Sequence, residues 1–412
     1  MIKAIFTFCV LLFYFTLSAF AQEAYVISGV VKDNKEVLPG AAVYVSGYKI
    51  ATVTNGDGKF TLPKLAPGNY DLLVQMIGYV PLKKNVAIID KSVVVELKLT
   101  ESTTILNEVV IKPDPDRAYY LMLFKDFFIG KTPNAAQCKI LNSQVIEFDY
   151  DKRERILTAK ASDFLVIENK VLGYRIKYLL EQFDYNFTER MLFYAGYPTF
   201  EEMKGGNAKQ KRWSRNREIA YKGSSQHFFN SLYHHKISEE GFVMYKRYEI
   251  PNGDRLPDSL IETNIKQLMN NKGATLTINN QGGTGLNYWL KERRKPKTLF
   301  AIDRSGISVD TLVKTFNPNI KSINYKDDLF IIYKNEKESL AYENTPFYLN
   351  RPLDLKGFQV SIIKMLSAPI YFYANGLVYN PRSTLYSGFW SYEKMADTVP
   401  MDYVLPDKTK KN

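Results

Sequence analysis

The chain has 412 residues, of which 45% are hydrophobic, 14% aromatic and 24% charged, and its formal net charge is +12. This composition excludes an intrinsically disordered chain, which would carry few aromatic side chains, and the length allows two folded domains. Cys9 and Cys138 are the only cysteines, and Cys9 lies in a predicted export signal that is removed, so no internal disulfide framework is expected. We expect Cys138 to be a buried small side chain, and a reactive thiol is the alternative.

Residues 1–21 have the pattern of an export signal. Lys3 precedes an apolar run over residues 4–19, and an A-x-A cleavage site lies at residues 19–21. Cys9 lies inside the apolar run, without the small-residue context of a lipoprotein site. The mature chain is therefore predicted to begin at Gln22 and to be exported.

Residues 22–100 alternate short apolar runs with turn signals. Asn55-Gly56 and Asp57-Gly58 supply the positive φ that a tight turn between strands needs, and Pro67-Gly68 marks another turn. Val43 and Val45 lie two residues apart, so one face of that strand is predicted to be buried. The pattern predicts a small β-sandwich whose last strand covers residues 93–99.

The motifs of this region resemble, in combination, the carboxypeptidase-regulatory-like domain. They are G-V-V-x-D from Gly29, L-P-G-A-x-V from Leu38, T-x-G-D-G-x-F from Thr54, L-x-P-G-x-Y from Leu65 and I-G-Y from Ile77. The resemblance implies a transthyretin-like, seven-stranded sandwich with no catalytic groups of its own. It also implies a cell-envelope protein of the Bacteroidota, located in the periplasm or at the inner face of the outer membrane.

Residues 101–117 are predicted to link this sandwich to a second domain. Pro113 and Pro115 interrupt any regular element. The segment Leu106–Ile111, L-N-E-V-V-I, resembles the one that follows the same sandwich in TonB-dependent transporters, but the remaining chain is too short for the rest of such a transporter. The residues favour the alternative that Val109–Ile111 is a closing strand of the sandwich.

Residues 118–412 are predicted to form a larger antiparallel β-rich domain with a few helices, so that the whole chain is mainly β and its second part α+β. Ala118–Ile129 is apolar all round and ends at Gly130, which predicts a buried helix with a glycine stop. Helices are also predicted over residues 224–235 and 259–269. Strands are predicted over 145–150, 156–161, 164–168, 172–180, 186–195, 274–278, 330–333, 360–363, 370–373 and 377–379. Segments such as Trp213–Arg217 and Gly388–Asp397 resemble landmarks of Bacteroidota envelope proteins that carry the same sandwich and have no reaction to transfer.

The residues that could carry chemistry do not form a known catalytic or metal motif. His227, His234 and His235 fall within nine residues, but a zinc site needs a further ligand and no H-E-x-x-H is present. One packed and two solvated histidines are predicted. No G-x-S-x-G elbow exists, and the glycine-rich segment 279–285 fits no nucleotide-binding motif. The sequence therefore predicts no catalytic residue, no metal and no cofactor.

The densest charge lies in residues 204–222, which contain seven basic side chains and one acidic side chain, Glu218. Gly205-Gly206 and this charge predict an exposed loop. Its candidate binding residues are Lys211, Arg212, Trp213, Arg215, Arg217 and Lys222. Other envelope proteins or anionic envelope polymers are the expected partners, with peripheral membrane association left open. Nucleic acid is disfavoured for an exported chain. The alternative is a solvated segment whose arginines pair with carboxylates.

Three functions remain open on these observations. The favoured one is a non-catalytic binding or scaffolding protein of a cell-envelope complex in the periplasm or at the outer membrane. The first alternative is a component linked to TonB-dependent outer-membrane transport. The second alternative is a hydrolase with an unrecognised site near His227.

Overall fold

The structure, a computed structural model, describes residues 24–102, 114–270 and 285–406. The predicted export signal, the predicted strand Val109–Ile111 and the predicted strand over 274–278 lie outside the described residues. These three remain predictions.

The N-terminal region is a β-sandwich, as its turn motifs predict. Its three-stranded sheet has the order β4-β1-β8 and its four-stranded sheet the order β3-β2-β5-β7, while β6 pairs with β9. All pairs are antiparallel except β1 with β8, where Ile27 lies opposite Val93 in a parallel register. The strands are β1 Ile27–Lys32, β2 Ala42–Val45, β3 Ala51–Val53, β4 Lys59–Thr61, β5 Gly68–Gln75, β6 Tyr79–Val80, β7 Leu82–Ile88, β8 Val93–Lys98 and β9 Thr100–Glu101.

The next part of the chain is a six-stranded antiparallel sheet with the order β10-β13-β14-β12-β11, in which β15 pairs with β14 as a long hairpin. A helix, α1 (Arg117–Phe124), continues as a π-helical turn over Lys125–Ile129 and buries Phe124 and Phe128 against this sheet. The strands are β10 Cys138–Ile140, β11 Ile146–Asp151, β12 Ile156–Ala161, β13 Leu165–Asn169, β14 Tyr174–Asn186 and β15 Met191–Glu202.

A five-stranded sheet with the order β17-β16-β20-β21-β23 and a three-stranded sheet with the order β18-β19-β22 complete the second unit. The helices are α2 Asn207–Tyr221, α3 Ser225–Tyr233, α4 Asp258–Asn270, α5 Leu286–Arg294, α6 Val309–Leu312, α7 Leu340–Glu343 and α8 Phe389–Tyr392. The strands are β16 Phe242–Pro251, β17 Thr298–Asp303, β18 Val313–Asn317, β19 Ile320–Ile323, β20 Asp328–Lys337, β21 Phe358–Met365, β22 Ile370–Tyr373 and β23 Thr384–Gly388.

The predicted fold class is confirmed, with differences in detail. The helix predicted before Gly130 ends there at a φ of +108°, but Tyr119 and Met122 on its outer side are about half exposed. The predicted strand over 377–379 is a single bridge between Phe372 and Val378, because the chain turns at Gly376 and leaves at once. Within the described residues, no helix combines the length and the hydrophobicity needed to cross a membrane.

The sandwich packs directly on the second unit through the turn that joins β2 to β3. The amide of Gly47 donates to the carbonyl of Pro198 at 2.6 Å, and the amide of Met401 donates to the carbonyl of Gly47 at 2.7 Å. Beside this turn, Tyr44 and Phe164 form a buried apolar cluster with Leu73. Val43 and Val45 point into the core of the sandwich, and Tyr44 between them points to the outer face of the sheet. That outer face is therefore also buried at this position.

Candidate functional site

Residues 207–221 of the basic cluster are a helix, α2, and the predicted exposed loop is wrong. Lysine, arginine, glutamine and alanine are strong helix formers, so this stretch favours a helix once one face can pack. That face consists of positions spaced by about one helical turn. The buried residues of α2 are Trp213, Arg217, Ala220 and Tyr221.

Trp213 anchors the helix and is not part of a contact surface. Its side chain is 3% exposed, and its indole N–H donates to the carbonyl of Lys170 at 3.0 Å. The ring lies against Gly173, which has a φ of +69° and where any Cβ would collide with the indole. The prediction that Trp213 contributes to binding is therefore wrong, because the β13–β14 turn covers it.

Arg217 is the second anchor. Its Nε donates to the carbonyl of Leu172 at 2.7 Å, and its guanidinium lies 3.9 Å from the ring centre of Tyr174. Nη1 also pairs with the carboxylate of Glu202 at 3.3 Å. Arg217 is only 8% exposed, so its predicted place on a binding surface is wrong as well. A buried, fully engaged arginine fixes the helix to the turn beneath it.

The remaining cations of the segment point outward. We call these exposed residues the α2 basic face: Lys204, Lys209, Lys211, Arg212 and Arg215. None of these five side chains forms an ion pair with a residue that the structure describes. Lys222 differs from them, since it is half-buried and its Nζ lies 2.6 Å from Glu218 Oε1. That Lys211, Arg212 and Arg215 bind a partner remains a prediction.

The histidines are arranged as predicted, with His227 buried and His234 and His235 exposed. Ser224 caps α3 by accepting from the amide of His227 at 3.2 Å. Nδ1 of His227 accepts from the amide of Gly223 at 3.2 Å, so the proton belongs on Nε2, which lies 3.1 Å from Glu240 Oε2.

Both ring nitrogens of His227 are thus engaged, and neither is free to activate a nucleophile. Burial lowers the pKa of His227, although Glu240 acts in the opposite direction. Within the described residues, no group of three or more His, Cys, Asp or Glu side chains is placed to hold a metal ion. The geometry gives no support to a hydrolase centred on His227.

Cys138 is half-buried, and its thiol does not have the environment of a reactive cysteine. Burial raises the pKa of this thiol to about 12, and the nearby charge of Asp397 adds to the effect. A thiol with such a pKa is protonated at neutral pH and is a poor nucleophile. The prediction of a small packed side chain fits this environment better than the reactive alternative.

A cavity that the sequence did not predict lies between the six-stranded and five-stranded sheets. Its volume is about 350 Å³. The walls are aromatic and apolar for the most part, and polar groups come from the start of α3, from β23 and from the segment after α8. The lining includes Tyr194, Thr384, Tyr386, Trp390, Glu393 and Lys394.

The acidic groups of the cavity differ in how they are satisfied. Asp397 accepts hydrogen bonds from Thr132 Oγ1 and Asn134 Nδ2, each at 2.9 Å, and burial raises its pKa to about 6. Glu393 is half-buried, and its carboxylate, which pairs with no described residue, is left to solvent in the cavity. Burial, followed by the charges of Asp397 and Glu336, raises the pKa of Glu393 well above its ordinary range.

Two further polar groups line the cavity. Thr384 is 8% exposed, and its buried hydroxyl interacts with the hydroxyl of Tyr386. Burial lowers the pKa of Lys394 to about 8, and its ammonium lies 5.8 Å from the ring centre of Phe347. The lining of the cavity therefore includes a half-buried carboxylate, a hydroxyl beside a tyrosine and a half-buried amine.

Comparison with known families identifies the N-terminal region. Residues 27–111 match the CarboxypepD_reg-like domain. The resemblance inferred from the turn motifs is thereby confirmed for this part of the chain, and the match includes the segment Leu106–Ile111. A comparison with curated proteins gives no match.

Solved structures show only distant similarity. A type II cohesin–X-dockerin complex of Acetivibrio cellulolyticus is 16% identical, with 19% of this chain and 58% of that chain covered and a TM-score of 0.18. A putative carbohydrate binding protein of Bacteroides uniformis is 11% identical, with 35% and 53% covered and a TM-score of 0.16. A DUF3823 family protein of Parabacteroides merdae is 14% identical, with 46% and 85% covered and a TM-score of 0.16. This chain spans little more than half of the first two proteins, and TM-scores this low assign it neither a fold nor a ligand.

Proposed function

We propose that the protein is a non-catalytic binding protein of the cell envelope, and that the α2 basic face contacts an acidic surface of another envelope protein. The observation that carries the proposal is the set of five exposed cations without a carboxylate partner among the described residues. A surface patch of one charge sign steers and orients a partner that carries the opposite charge.

The way in which α2 is anchored to the rest of the protein supports this function. Trp213 and Arg217 fix α2 to the turn before β14, so the cations are displayed on a rigid element and not on a loop. A partner then meets a preorganised surface and orders few groups on binding. Ile219, which is 51% exposed on the same helix, adds apolar area of the kind that a protein surface covers.

The cellular setting rests on the sequence. The predicted export signal and the regulatory-like sandwich both favour an envelope location, with the sandwich as an accessory module docked on the second unit. The occupied nitrogens of His227 and the protonated thiol of Cys138 favour binding over catalysis. Peripheral association with a membrane follows if the partner is itself embedded there.

The experiment is a quantitative pull-down from a membrane extract of the source organism with the tagged mature chain. The test variant reverses two charges of the α2 basic face, Lys211→Glu and Arg212→Glu. The matched control reverses an adjacent exposed pair on the β11–β12 turn, Lys152→Glu and Arg153→Glu. We expect a protein that the wild type and the control retain and that the test variant loses.

Salt separates the electrostatic contact from other modes of capture. The screening length falls from about 10 Å at 0.1 M salt to about 3 Å at 1 M, so the specific partner should elute as salt rises. Retention of the same proteins by the test variant would overturn the proposal. Selective loss of anionic lipid or polysaccharide, with no protein changed, would overturn the choice of a protein partner.

A further inference from the structure

We propose that a groove between the sandwich and the three-stranded sheet β18-β19-β22 binds a neutral oligosaccharide, whose sugar rings lie on a strip of aromatic side chains and whose hydroxyl groups pair with asparagine amides. We call it the inter-unit groove. This inference is independent of the proposed function, since it concerns a different face of the molecule and an uncharged ligand.

The first observation is the place and the lining of the groove. The start of β5 and the end of β7 form one wall, and the β18–β19 turn with Tyr373 forms the other. Its volume of about 530 Å³ lies within the range for small-molecule sites, about 300–1,000 Å³, and such sites are frequent where two domains meet. The described residues that line it carry no carboxylate, ammonium, guanidinium or imidazole group, although 24% of the chain is charged. An ionic ligand would find no counter-ion there, so the lining favours a neutral one.

The second observation is the hydrogen-bonding capacity of three asparagines in this lining. Asn69 Nδ2 donates to the hydroxyl of Tyr373 at 3.3 Å, and Asn317 Oδ1 accepts from the backbone amide of Asn319 at 2.9 Å. The side-chain amide of Asn319 and Nδ2 of Asn317 form no hydrogen bond with a described residue. A side-chain amide offers both donors and an acceptor, which is what neighbouring hydroxyl groups of a ligand require.

The third observation is a strip of aromatic rings that continues from the groove over the outer face of the three-stranded sheet. Tyr371 and Tyr373 flank Phe372, which points into the core, so the two tyrosines share the outward face of β22. The ring centre of Tyr371 lies 5.0 Å from that of Phe316, and the ring centre of Tyr373 lies 6.4 Å from that of Tyr379. Phe316 is 62% exposed and Tyr379 is 58% exposed. Neighbouring exposed rings of this kind mark an interaction site.

The ligand that fits both features is a sugar. A pyranose ring presents a face of C–H groups, which packs on an aromatic ring, and a rim of hydroxyl groups, which exchange hydrogen bonds with amides. A wholly apolar ligand would leave the amides of Asn317 and Asn319 unpaired, which costs binding free energy. Four neighbouring rings offer room for more than one sugar unit, so we expect an oligosaccharide.

The test is isothermal titration calorimetry of the mature chain with linear hexasaccharides. The neutral probes are built from α-1,4-linked glucose, β-1,4-linked glucose, xylose, mannose and N-acetylglucosamine. Lys314 also lies on the outer face of the sheet, opposite Ser322 and outside the lining of the groove, so hexagalacturonate is included as an acidic probe. We expect saturable binding of at least one neutral probe, with a Kd that changes less than about twofold between about 0.1 M and about 1 M salt.

Saturable binding of none of the neutral probes, or of hexagalacturonate alone, would overturn the proposal. Absence of saccharide binding together with loss of a retained protein from the membrane-extract pull-down with Phe316→Ala would assign the aromatic strip to a protein partner instead.

Substitutions locate the site. Phe316→Ala and Tyr379→Ala should each weaken binding of the neutral probe about tenfold and change the melting temperature little, because both rings are largely exposed. Asn319→Ala should weaken it several-fold. Tyr119→Ala is the matched control, since Tyr119 is a half-exposed tyrosine on α1, and it should bind as the wild type does.

Phe316 and Tyr379 lie on different segments, so either variant decides the question if the other does not fold. Unchanged binding in a folded Phe316→Ala or Tyr379→Ala protein would overturn the assignment of the site. The double variant Lys211→Glu with Arg212→Glu should bind the saccharide like the wild type. Failure of the inter-unit groove and failure of the α2 basic face are thereby distinguished.

Discussion

At the scale of residues, neighbouring cations on α2 have different functions. Arg217 is buried, donates to the carbonyl of Leu172 and stacks on Tyr174, whereas Arg212 is exposed and forms no ion pair with a described residue. Charge alone does not separate the two arginines. Arg217 lies one helical turn after Trp213 and therefore shares its buried face, whereas Arg212 lies next to Trp213 in sequence and points to a different side of the helix.

The first prediction tests this division. Trp213→Ala should lower the free energy of unfolding by about 3–5 kcal/mol, because it deletes a large buried side chain and leaves a cavity. Arg212→Ala should change it by about 0.5 kcal/mol or less, as exposed substitutions do. Urea unfolding followed by circular dichroism measures both values. Equal effects of the two substitutions would contradict the buried position of Trp213.

The second prediction concerns pH and His227. Burial lowers the folded-state pKa of His227 below its ordinary value of 6.5, so below that pH the unfolded chain binds a proton that the folded chain does not. The free energy of unfolding should therefore fall as the pH is lowered from 7.5 to 5.5, by at most about 1.4 kcal/mol per pH unit for this one group.

His227→Asn keeps an acceptor for the amide of Gly223 and cannot take up the proton, so its stability should depend less on pH over the same range. Asp397 acts with the opposite sign, because its pKa is raised to about 6 and stability from this group increases on acidification. The difference between wild type and variant cancels that contribution. An identical pH dependence in both proteins would exclude a neutral buried His227.

At the scale of elements, the turn between β2 and β3 is one of several contacts that hold the sandwich on the second unit, together with the Tyr44–Phe164 cluster and the hydrogen bond from Asn69 to Tyr373. Gly47 has a φ of +83° and exchanges backbone hydrogen bonds with Pro198 and Met401. The side chain of Met401 lies 3.1 Å from the place where a Cβ would stand on Gly47. A branched side chain at this position meets both a strained backbone and a close neighbour.

The third prediction follows from this contact. Limited proteolysis should cut within the predicted link, residues 101–117, and the sandwich fragment should nevertheless co-elute with the rest of the chain on gel filtration. Gly47→Val should weaken the retention of the fragment after cleavage, because it disrupts one of the docking contacts and leaves the core of the sandwich intact. Gly40→Val is the control, since Gly40 also has a positive φ but nothing lies near its Cβ position. Separation of the wild-type fragments would contradict the docked arrangement.

The elements differ in how far the sequence determines them. The sandwich was predictable because its turns are local, and Asn55-Gly56-Asp57-Gly58 fixes a hairpin whatever surrounds it. The sequence predicts a loop in place of helix α2, because Gly205-Gly206 and the high charge density favour exposure and only four residues of the helix are buried. Its anchoring depends on Gly173, and nothing in the local pattern of α2 shows that contact.

The cavity could not be predicted from the sequence either, because it too depends on contacts between distant segments. Its walls come from β14, β15, α3, β23 and the segment after α8, and the pairing of distant segments decides which side chains meet. The one signal was the segment Phe389–Asp397, in which Glu393, Lys394 and Asp397 stand among aromatic and apolar residues. Charges inside such a run are unusual in a core and indicate a buried polar site.

At the scale of the whole molecule, the α2 basic face and the cavity belong to different elements of one unit. The α2 basic face lies on the outer side of a helix whose other side packs on the six-stranded sheet, and the cavity lies between that sheet and the five-stranded one. The sandwich contacts the same unit through Gly47 and through the cluster of Tyr44 with Phe164. Substitutions on the α2 basic face therefore leave the cavity lining and the docked sandwich unchanged.

Site-specific photo-crosslinking in intact cells tests the central claim most directly. A photoreactive amino acid is placed at Arg212 and, as the control, at Arg153 on the exposed β11–β12 turn. The account predicts one dominant crosslinked protein from position 212 and none of that product from position 153. It also predicts an acidic surface on that protein and loss of the product when Lys211 and Arg215 are changed to Glu in the same chain. The same crosslinked protein from both positions, or none from position 212, would contradict a binding function for the α2 basic face.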